Sequence, residues 1–426
     1  MLYYLFDWLD HTMNIPGTGV FQYISFRAAC SAILSLLIML ALGKPFIKWI
    51  GNKLHMLDTV RTELGLEGAS QKAKTPTMGG LLIIAAIVIP TILFAKLDNI
   101  YVMLMLFTTI WLGGVGFLDD YLKKKRSKDG LPGKYKILGQ VILGLVVGLT
   151  MMFHPDITIK EKNDVKSYVT QHNVNIDQNY EKATTEFSKD PIKSTKTTIP
   201  FVKNNELDYS KAITWMGDWA KDWVWIVYVI IVIFVVTAVS NASNLTDGID
   251  GMATGVAAVN GGALAILAWL SGNIIMANYL NIMYLPNIGE LTIFISAFVG
   301  STIGFLWFNT HPAEIFMGDT GSLTIGGIIA VFALLIRKEL LLPILCGIYV
   351  IENLSVIIQT AGCKLYRKTH KLSPNERVPI DKRPFLMTPI HHHYQKKGIA
   401  EEKVVQRFII ISILLATVSI VTLKLR

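Results

Sequence analysis

WVWIVYVIIVIFVVTAVSNASNLTDGIDGMATG, residues 223–255, decides the fold. Trp223 to Ser240 carries no charge and approaches the roughly 20 residues that a helix needs to cross about 30 Å of hydrocarbon. Immediately after it, Asn241, Asn244, Asp247 and Asp250 recur at intervals of three, a spacing that predicts a shared helical face. Gly248 and Gly251 let the backbone turn and approach a ligand. Amides and carboxylates at membrane depth need partners, so the stretch reads as a membrane span opening onto a polar site. The alternating acidic positions and distal Glu of a calcium-binding EF-hand loop are missing.

The rest of the chain repeats the first half of this pattern. Of 426 residues, 52% are hydrophobic and only 17% charged, with a mean hydropathy of +0.46, whereas a globular domain carries about 25% charged residues. Spans are expected near 23–43, 79–95, 99–118, 137–153, 223–240, 252–272, 291–308, 323–336, 341–362 and 408–424. The fold class is therefore an all-α polytopic integral membrane protein of about ten transmembrane helices. One catalytic unit is built from helices 1–4 in residues 1–153 and helices 5–10 in residues 223–426. Between them, residues 154–222 form a polar, outward-facing insertion, in which ITIKEK and SYVTQHNVNID read as short β-strands. It is expected to be a tolerated surface addition. The N-terminus has Asp7 and Asp10 and no basic segment, so no cleaved signal peptide is expected. Three scattered cysteines exclude a disulfide framework and a cysteine-based zinc site.

The net charge of +9 is distributed unevenly. On the ten-span topology the loops of one side hold 24 Lys and Arg against 6 on the other, leaving aside the long insertion. Cytoplasmic loops are the enriched ones, so both termini are expected outside. The basic side also holds 14 acidic residues, giving a cytoplasmic surface suited to phosphate-bearing ligands rather than to nucleic acid.

The chemistry-bearing clusters all fall on that side. Asp119 and Asp120 in GFLDDYLKKK diverge by about 100° on a helix, so one can face a metal or substrate while the other takes a second partner. In FNTHPAEIFMGDTGSLTIGG, residues 308–327, Asp319 stands at a helix start whose free N–H groups are expected to hold a phosphate, with Asn309 and Phe316 nearby. Lys382, Arg383, Lys396 and Lys397 surround His391, His392 and His393. Adjacent histidines cannot all ligate one ion on a helix, and phosphate suits them better than zinc. QKAKTPTMGG, residues 71–80, adds Lys72, Lys74 and Thr75. Carboxylates and cations on one membrane face are the inventory for magnesium-assisted transfer of a phosphorylated group.

TPTMGG at 75–80, FLDDY at 117–121, NLTDGIDGMA at 244–253, FMGDTGS at 316–322 and PIHHHYQKKG at 389–398 resemble, in order and spacing, the signatures of the phospho-N-acetylmuramoyl-pentapeptide-transferases within the polyprenyl-phosphate sugar-1-phosphate transferases. The resemblance implies transfer of phospho-MurNAc-pentapeptide from its UDP-activated form to undecaprenyl phosphate, giving lipid I and UMP, in the bacterial cytoplasmic membrane. It implies a Mg²⁺ ligand in Asp319, and Asp119 and Asp120 as groups that activate the lipid phosphate or help hold the ion. It places Asn244, Asp247, Asp250, Asn309, Phe316 and Gln359 on the nucleotide and sugar side, Lys72 and Lys136 near phosphates, and His391 to His393 among the essential residues. A homodimer is implied as well. The chain departs from the pattern in the segment RKTHKLSPNERVP at 367–379, in Lys74 where a Gly is expected, and in the outer insertion. A related GlcNAc-1-phosphate transferase would share the Asp clusters but lack PIHHHYQKKG. A transporter would need polar groups at mid-membrane, for which Glu352 and Asn353 are the chief candidates.

Overall fold

A computed structural model describes the chain except for residues 14–15, 55–74, 126–129, 162–186, 189, 202–205, 216, 281, 374–375, 377 and 424–426. Lys72 and Lys74 lie outside the described residues, as does the expected strand SYVTQHNVNID. Every expected span coincides with helix. In chain order these are α2 (Ile24–Trp49), α3 (Gly80–Phe94), α4 (Ile100–Lys125), α5 (Gly133–Phe153), α7 (Val224–Thr246), α8 (Met252–Gly272), α10 (Leu291–Asn309), α11 (Gly318–Leu335), the pair α12 (Leu342–Leu345) and α13 (Gly347–Thr369), and α15 (Glu401–Thr422).

Among the described residues, eight helices are long and apolar enough to cross a membrane alone. The α12–α13 segment, Glu339–Leu345 plus Gly347–Thr369, is bent by 77°, and α3 is shorter, with 15 residues. An additional helix, α1 (Leu2–Met13), precedes the expected spans, and α6 (Lys211–Thr214), α9 (Ile274–Leu280) and α14 (Ile390–Lys396) are short connectors. Several helices outrun the expected spans because hydrocarbon limits only where charges sit, not where backbone hydrogen bonds stop. Thus α4 carries Asp119, Asp120 and Lys123 in its last two turns.

The bundle is organised around α11, of which 89% is buried. It packs against α4, α7, α3 and α8. Lipid offers no hydrophobic drive between helices, so close approach depends on small residues. A Cβ at Gly80 would lie 2.2 Å from the Gly321 nitrogen, and one at Gly116 would lie 2.4 Å from the Asp319 carbonyl oxygen. These two contacts press α3 and α4 against the first turn of α11, which carries Asp319. At the opposite end of the bundle, Arg27 of α2 makes a bidentate pair with Glu290, both N···O distances being 2.7 Å, and the pair is buried.

The insertion is part of this packing. Strands β1 (Lys196–Thr198) and β2 (Glu206–Asp208) pair antiparallel, with Thr197 opposite Leu207. ITIKEK forms only isolated bridges, Ile159 to Ile192 and Lys160 to Tyr284, and among the described residues the regular strands lie downstream of it. Ile157, Ile159, Phe187 and Tyr209 are buried in the same hydrophobic cluster as the membrane helices.

Candidate active site

The last turns of α4 point their two aspartates apart. Asp120 turns toward α11 and accepts hydrogen bonds from the backbone N–H groups of Asp319 at 3.1 Å and Thr320 at 2.9 Å, and from the Thr320 hydroxyl at 2.6 Å. The N–H groups expected to be free for phosphate are therefore already capped by a carboxylate of another helix. Physically this is the same preference: an anion at the positive end of α11, supplied by the protein itself. Gly318 makes it possible, with φ of +68° and no side chain; a Cβ there would lie 2.6 Å from Asp120 Oδ2.

Asp119 turns the other way. Its Oδ1 accepts from the Leu131 N–H at 2.6 Å, and its Oδ2 lies 2.7 Å from Lys123 Nζ and 2.9 Å from Lys136 Nζ. The same two amines reach Asp319: Lys123 Nζ is 3.1 Å from Oδ1, and Lys136 Nζ donates to Oδ2. Asn244, from the last turn of α7, donates to Asp319 Oδ1 at 3.1 Å and to the Ser322 hydroxyl at 2.8 Å. Three helices thus deliver three carboxylates and two ammonium groups to one point, and a fourth, α7, adds the Asn244 amide.

Oxygens of Asp119, Asp120 and Asp319 come within 4.8 Å of one another. An all-carboxylate set suits a hard divalent cation such as Mg²⁺. Asp120 is largely occupied by the start of α11, whereas Asp119 Oδ2 and Asp319 Oδ2 share one lysine amine, so the latter two fit an ion best. Two lysines do not neutralise three carboxylates, and the cluster therefore retains a formal negative charge. Gly318→Ala should add a backbone cost of about 1–3 kcal/mol and push Asp120 off the helix start, lowering turnover at least about tenfold. Thermal melting together with a turnover assay would check both effects, and wild-type turnover would remove Asp120's cap from the site.

The Asn–Asp series does not continue as one helical face. Gly251, with φ of +80°, and the turn at Gly248 end α7 at Thr246, so Asn241 and Asn244 stay on the helix while Asp247 is its cap and Asp250 lies in the loop. Asn241 pairs with Gln140 of α5. Asp250 meets a second group: its Oδ2 is 3.0 Å from His311 Nδ1 and accepts from the Ala313 N–H at 3.1 Å, while its own N–H donates to Glu401 at 2.8 Å.

Several expected binding groups hold the site's walls together. Asn309 is buried, accepting from Thr254 Oγ1 at 2.8 Å and donating to the Ile315 carbonyl at 2.9 Å. Gln359 binds both backbone groups of Phe385, at 3.1 and 3.0 Å. The Phe316 backbone is zipped to Pro76 and Gly79, and Thr75 reaches the Ala313 carbonyl, joining TPTMGG to the Asp319 loop.

The three histidines take different polar partners, although the His391 and His392 rings touch edge to face with centroids 4.1 Å apart. His391 is buried, with Nδ1 3.0 Å from Glu352 Oε2, and Gly248 packs on its other edge, where a Cβ would lie 2.2 Å from Nε2. Glu352, the residue favouring a transport reading, thus supports the histidine motif. His392 Nδ1 lies 2.7 Å from Gln395. His393 Nδ1 accepts from the Leu386 N–H at 3.1 Å, and partial burial with nearby Lys397 holds its pKa below the ordinary value. None of the three histidines joins a metal-capable group among the described residues.

Lys123, Gln140, Ser322, His311, Glu352 and Glu401 were not among the expected site residues. Three left a signal: Lys123 falls one turn after Asp119, Gln140 is a polar residue inside an apolar run, and Glu352 is a carboxylate inside an expected span.

Apolar helices of membrane-crossing length, with carboxylates and lysines gathered at one end, define a multi-pass membrane protein whose site suits a metal ion and a phosphate-bearing ligand. Residues 196–337 match the profile Glycosyl transferase family 4, and residues 72–84 match Phospho-N-acetylmuramoyl-pentapeptide-transferase signature 1. The phospho-N-acetylmuramoyl-pentapeptide-transferases of Flavobacterium psychrophilum and Amoebophilus asiaticus are each 54% identical to the chain, and that of Bacteroides thetaiotaomicron is 48% identical, over 100% of both proteins in every case. The chain belongs to the phospho-N-acetylmuramoyl-pentapeptide-transferase family.

Proposed function

We propose that the protein moves phospho-MurNAc-pentapeptide from UDP-MurNAc-pentapeptide to undecaprenyl phosphate, yielding lipid I and UMP, and that it uses Mg²⁺. The observation that carries this reading is the convergence of Asp119, Asp120, Asp319, Lys123 and Lys136 at one end of a membrane bundle. A lipid phosphate and a water-soluble nucleotide can meet only at such a boundary. An oxygen of the lipid phosphate attacks the phosphorus attached to the sugar, and the bond from that phosphorus to the UMP oxygen breaks with its electron pair leaving on UMP.

The chain's own groups account for the rest. Lys123 and Lys136 supply positive charge to the phosphate oxygens, and Asp119 and Asp319 hold those amines in place until substrate arrives. Asp120 fixes the start of α11 and so the position of Asp319. When bound by Asp119 and Asp319, Mg²⁺ would offset negative charge on the pyrophosphate as the bond to UMP breaks. Asn244, Asp247, Asp250, Asn309, Phe316 and Gln359 shape the nucleotide and sugar side, and the histidine motif closes that wall.

The charge asymmetry of the loops supports a cytoplasmic active site with both termini outside, and membership of the family supports a place in the bacterial inner membrane and a homodimer. Purified protein with Mg²⁺, undecaprenyl phosphate and UDP-MurNAc-pentapeptide should release UMP. Release only with UDP-GlcNAc would reassign the protein to the related GlcNAc-1-phosphate transferases.

A further inference from the structure

Lys136 and Asn244 come from different helices, yet they reach the two oxygens of one carboxylate: Lys136 Nζ donates to Asp319 Oδ2, and Asn244 Nδ2 donates to Oδ1 at 3.1 Å. Both helices must therefore keep a fixed separation and register at this depth. Farther from the site, α5 and α7 are held by GLVVG, residues 144–148. A Cβ at Gly144 would lie 2.7 Å from the Ile233 Cα, and one at Gly148 would lie 3.1 Å from Val229. This is close backbone packing through small residues.

Toward the site the small residues stop, and a polar pair replaces them. Gln140, fully buried, donates from Nε2 to Asn241 Oδ1 at 3.2 Å, while Asn241 Nδ2 donates to Gln140 Oε1 at 2.9 Å and to the Thr237 carbonyl at 2.8 Å. Gln140 lies one turn from Lys136 on α5, and Asn241 lies one turn from Asn244 on α7. The neighbouring residue of α5 is held from the other side, since Trp111 Nε1 of α4 donates to the Gly139 carbonyl at 2.8 Å.

We propose that Gln140 and Asn241 form an amide brace that sets the spacing of α5 and α7 and thereby delivers Lys136 and Asn244 to Asp319. Gln140 is a positioning residue for the transfer, and Asn241 acts through it rather than by touching substrate. Reciprocal amides suit the task because each side chain satisfies the other's donor and acceptor, and the geometry is met at only one separation and register. The inference rests on reading Asp119, Asp120 and Asp319 as the acidic centre, whereas the brace itself can be measured independently of that reading.

The experiment uses the full-length enzyme with Gln140→Met and Asn241→Leu, which keep side-chain volume, their double variant, and the exchanged pair Gln140→Asn with Asn241→Gln. Each single variant should lose about 10- to 100-fold in kcat with KM for the nucleotide donor nearly unchanged, because the substrate contacts remain while the reacting geometry shifts. The exchanged pair should recover most of that loss. Melting midpoints should show the two positions to be non-additive, since removing both amides leaves neither one unsatisfied. Single variants with parental kcat, or an exchanged pair no better than the singles, would overturn the proposal. Asp319→Ala, run alongside, separates the two readings. Coupled melting with an active Asp319→Ala enzyme leaves the brace but removes the acidic centre, and so the positioning role; an inactive Asp319→Ala enzyme without coupling removes the brace alone.

Discussion

Asp319→Ala is expected to lose turnover by about a thousandfold or more while the protein remains folded. The side chain is the meeting point of Lys123, Lys136 and Asn244. Without it, two amines face only Asp119 and Asp120, the pair best placed for a divalent ion loses one member, and Lys136 of α5 loses its contact with the start of α11. The fold should survive because the hydrogen bond from α11 to Asp120 uses the backbone nitrogen of residue 319, which alanine keeps. Asn244 likewise retains the Ser322 hydroxyl as a partner. UMP release by purified enzyme, with the melting midpoint as a folding control, is the measurement. Activity within about tenfold of the parent would remove Asp319 from any role at the reacting phosphate.

The helices were legible because lipid imposes a simple rule. Every backbone group must be satisfied within its own segment, so charge-free runs of sufficient length become helices whatever their other context. The acidic centre was legible for a related reason: carboxylates at a membrane boundary are costly without partners, so Asp119, Asp120 and Asp319 announced themselves. What could not be read was which partner each would take. Nothing along the chain says that Asp120 lies against residues 319 and 320, about 200 positions away, and the N–H groups that looked available for phosphate are in fact capped by it. The three-residue spacing from Asn241 to Asp250 was read as one face, but the glycine turns win over periodicity: the Asn241, Asn244 and Asp250 side chains go to different places and Asp247 becomes the helix cap.

Deleting residues 154–222 and closing the gap with a short linker should lower the melting midpoint by about 10 °C or more without changing turnover per folded molecule. As a polar, loop-like sequence the insertion read as dispensable, yet it covers three consecutive charged residues at the far end of α11. Arg337, Lys338 and Glu339 are 2%, 0% and 3% exposed. The Thr198 N–H and the Thr197 hydroxyl donate to the Arg337 carbonyl at 3.0 and 3.2 Å, Lys338 Nζ donates to Thr198 Oγ1, and Tyr209 donates to Glu339 at 3.0 Å. Burial pushes the Lys338 amine down to about 8. Removing the whole cover returns these charges to water, so they are not the source of the loss. The loss comes from Ile157, Ile159, Phe187 and Tyr209, four buried side chains worth about 1.5–3 kcal/mol each as an upper estimate. The buried charge predicts a contrast: Lys338→Met in the full-length chain should be neutral or stabilising, because it removes a desolvated ammonium and keeps the packing. A deletion variant that melts with the parent would show the insertion to be a loose appendage. One that is folded but inactive would give it a part in the chemistry, although none of its described residues reaches Asp119, Asp120 or Asp319.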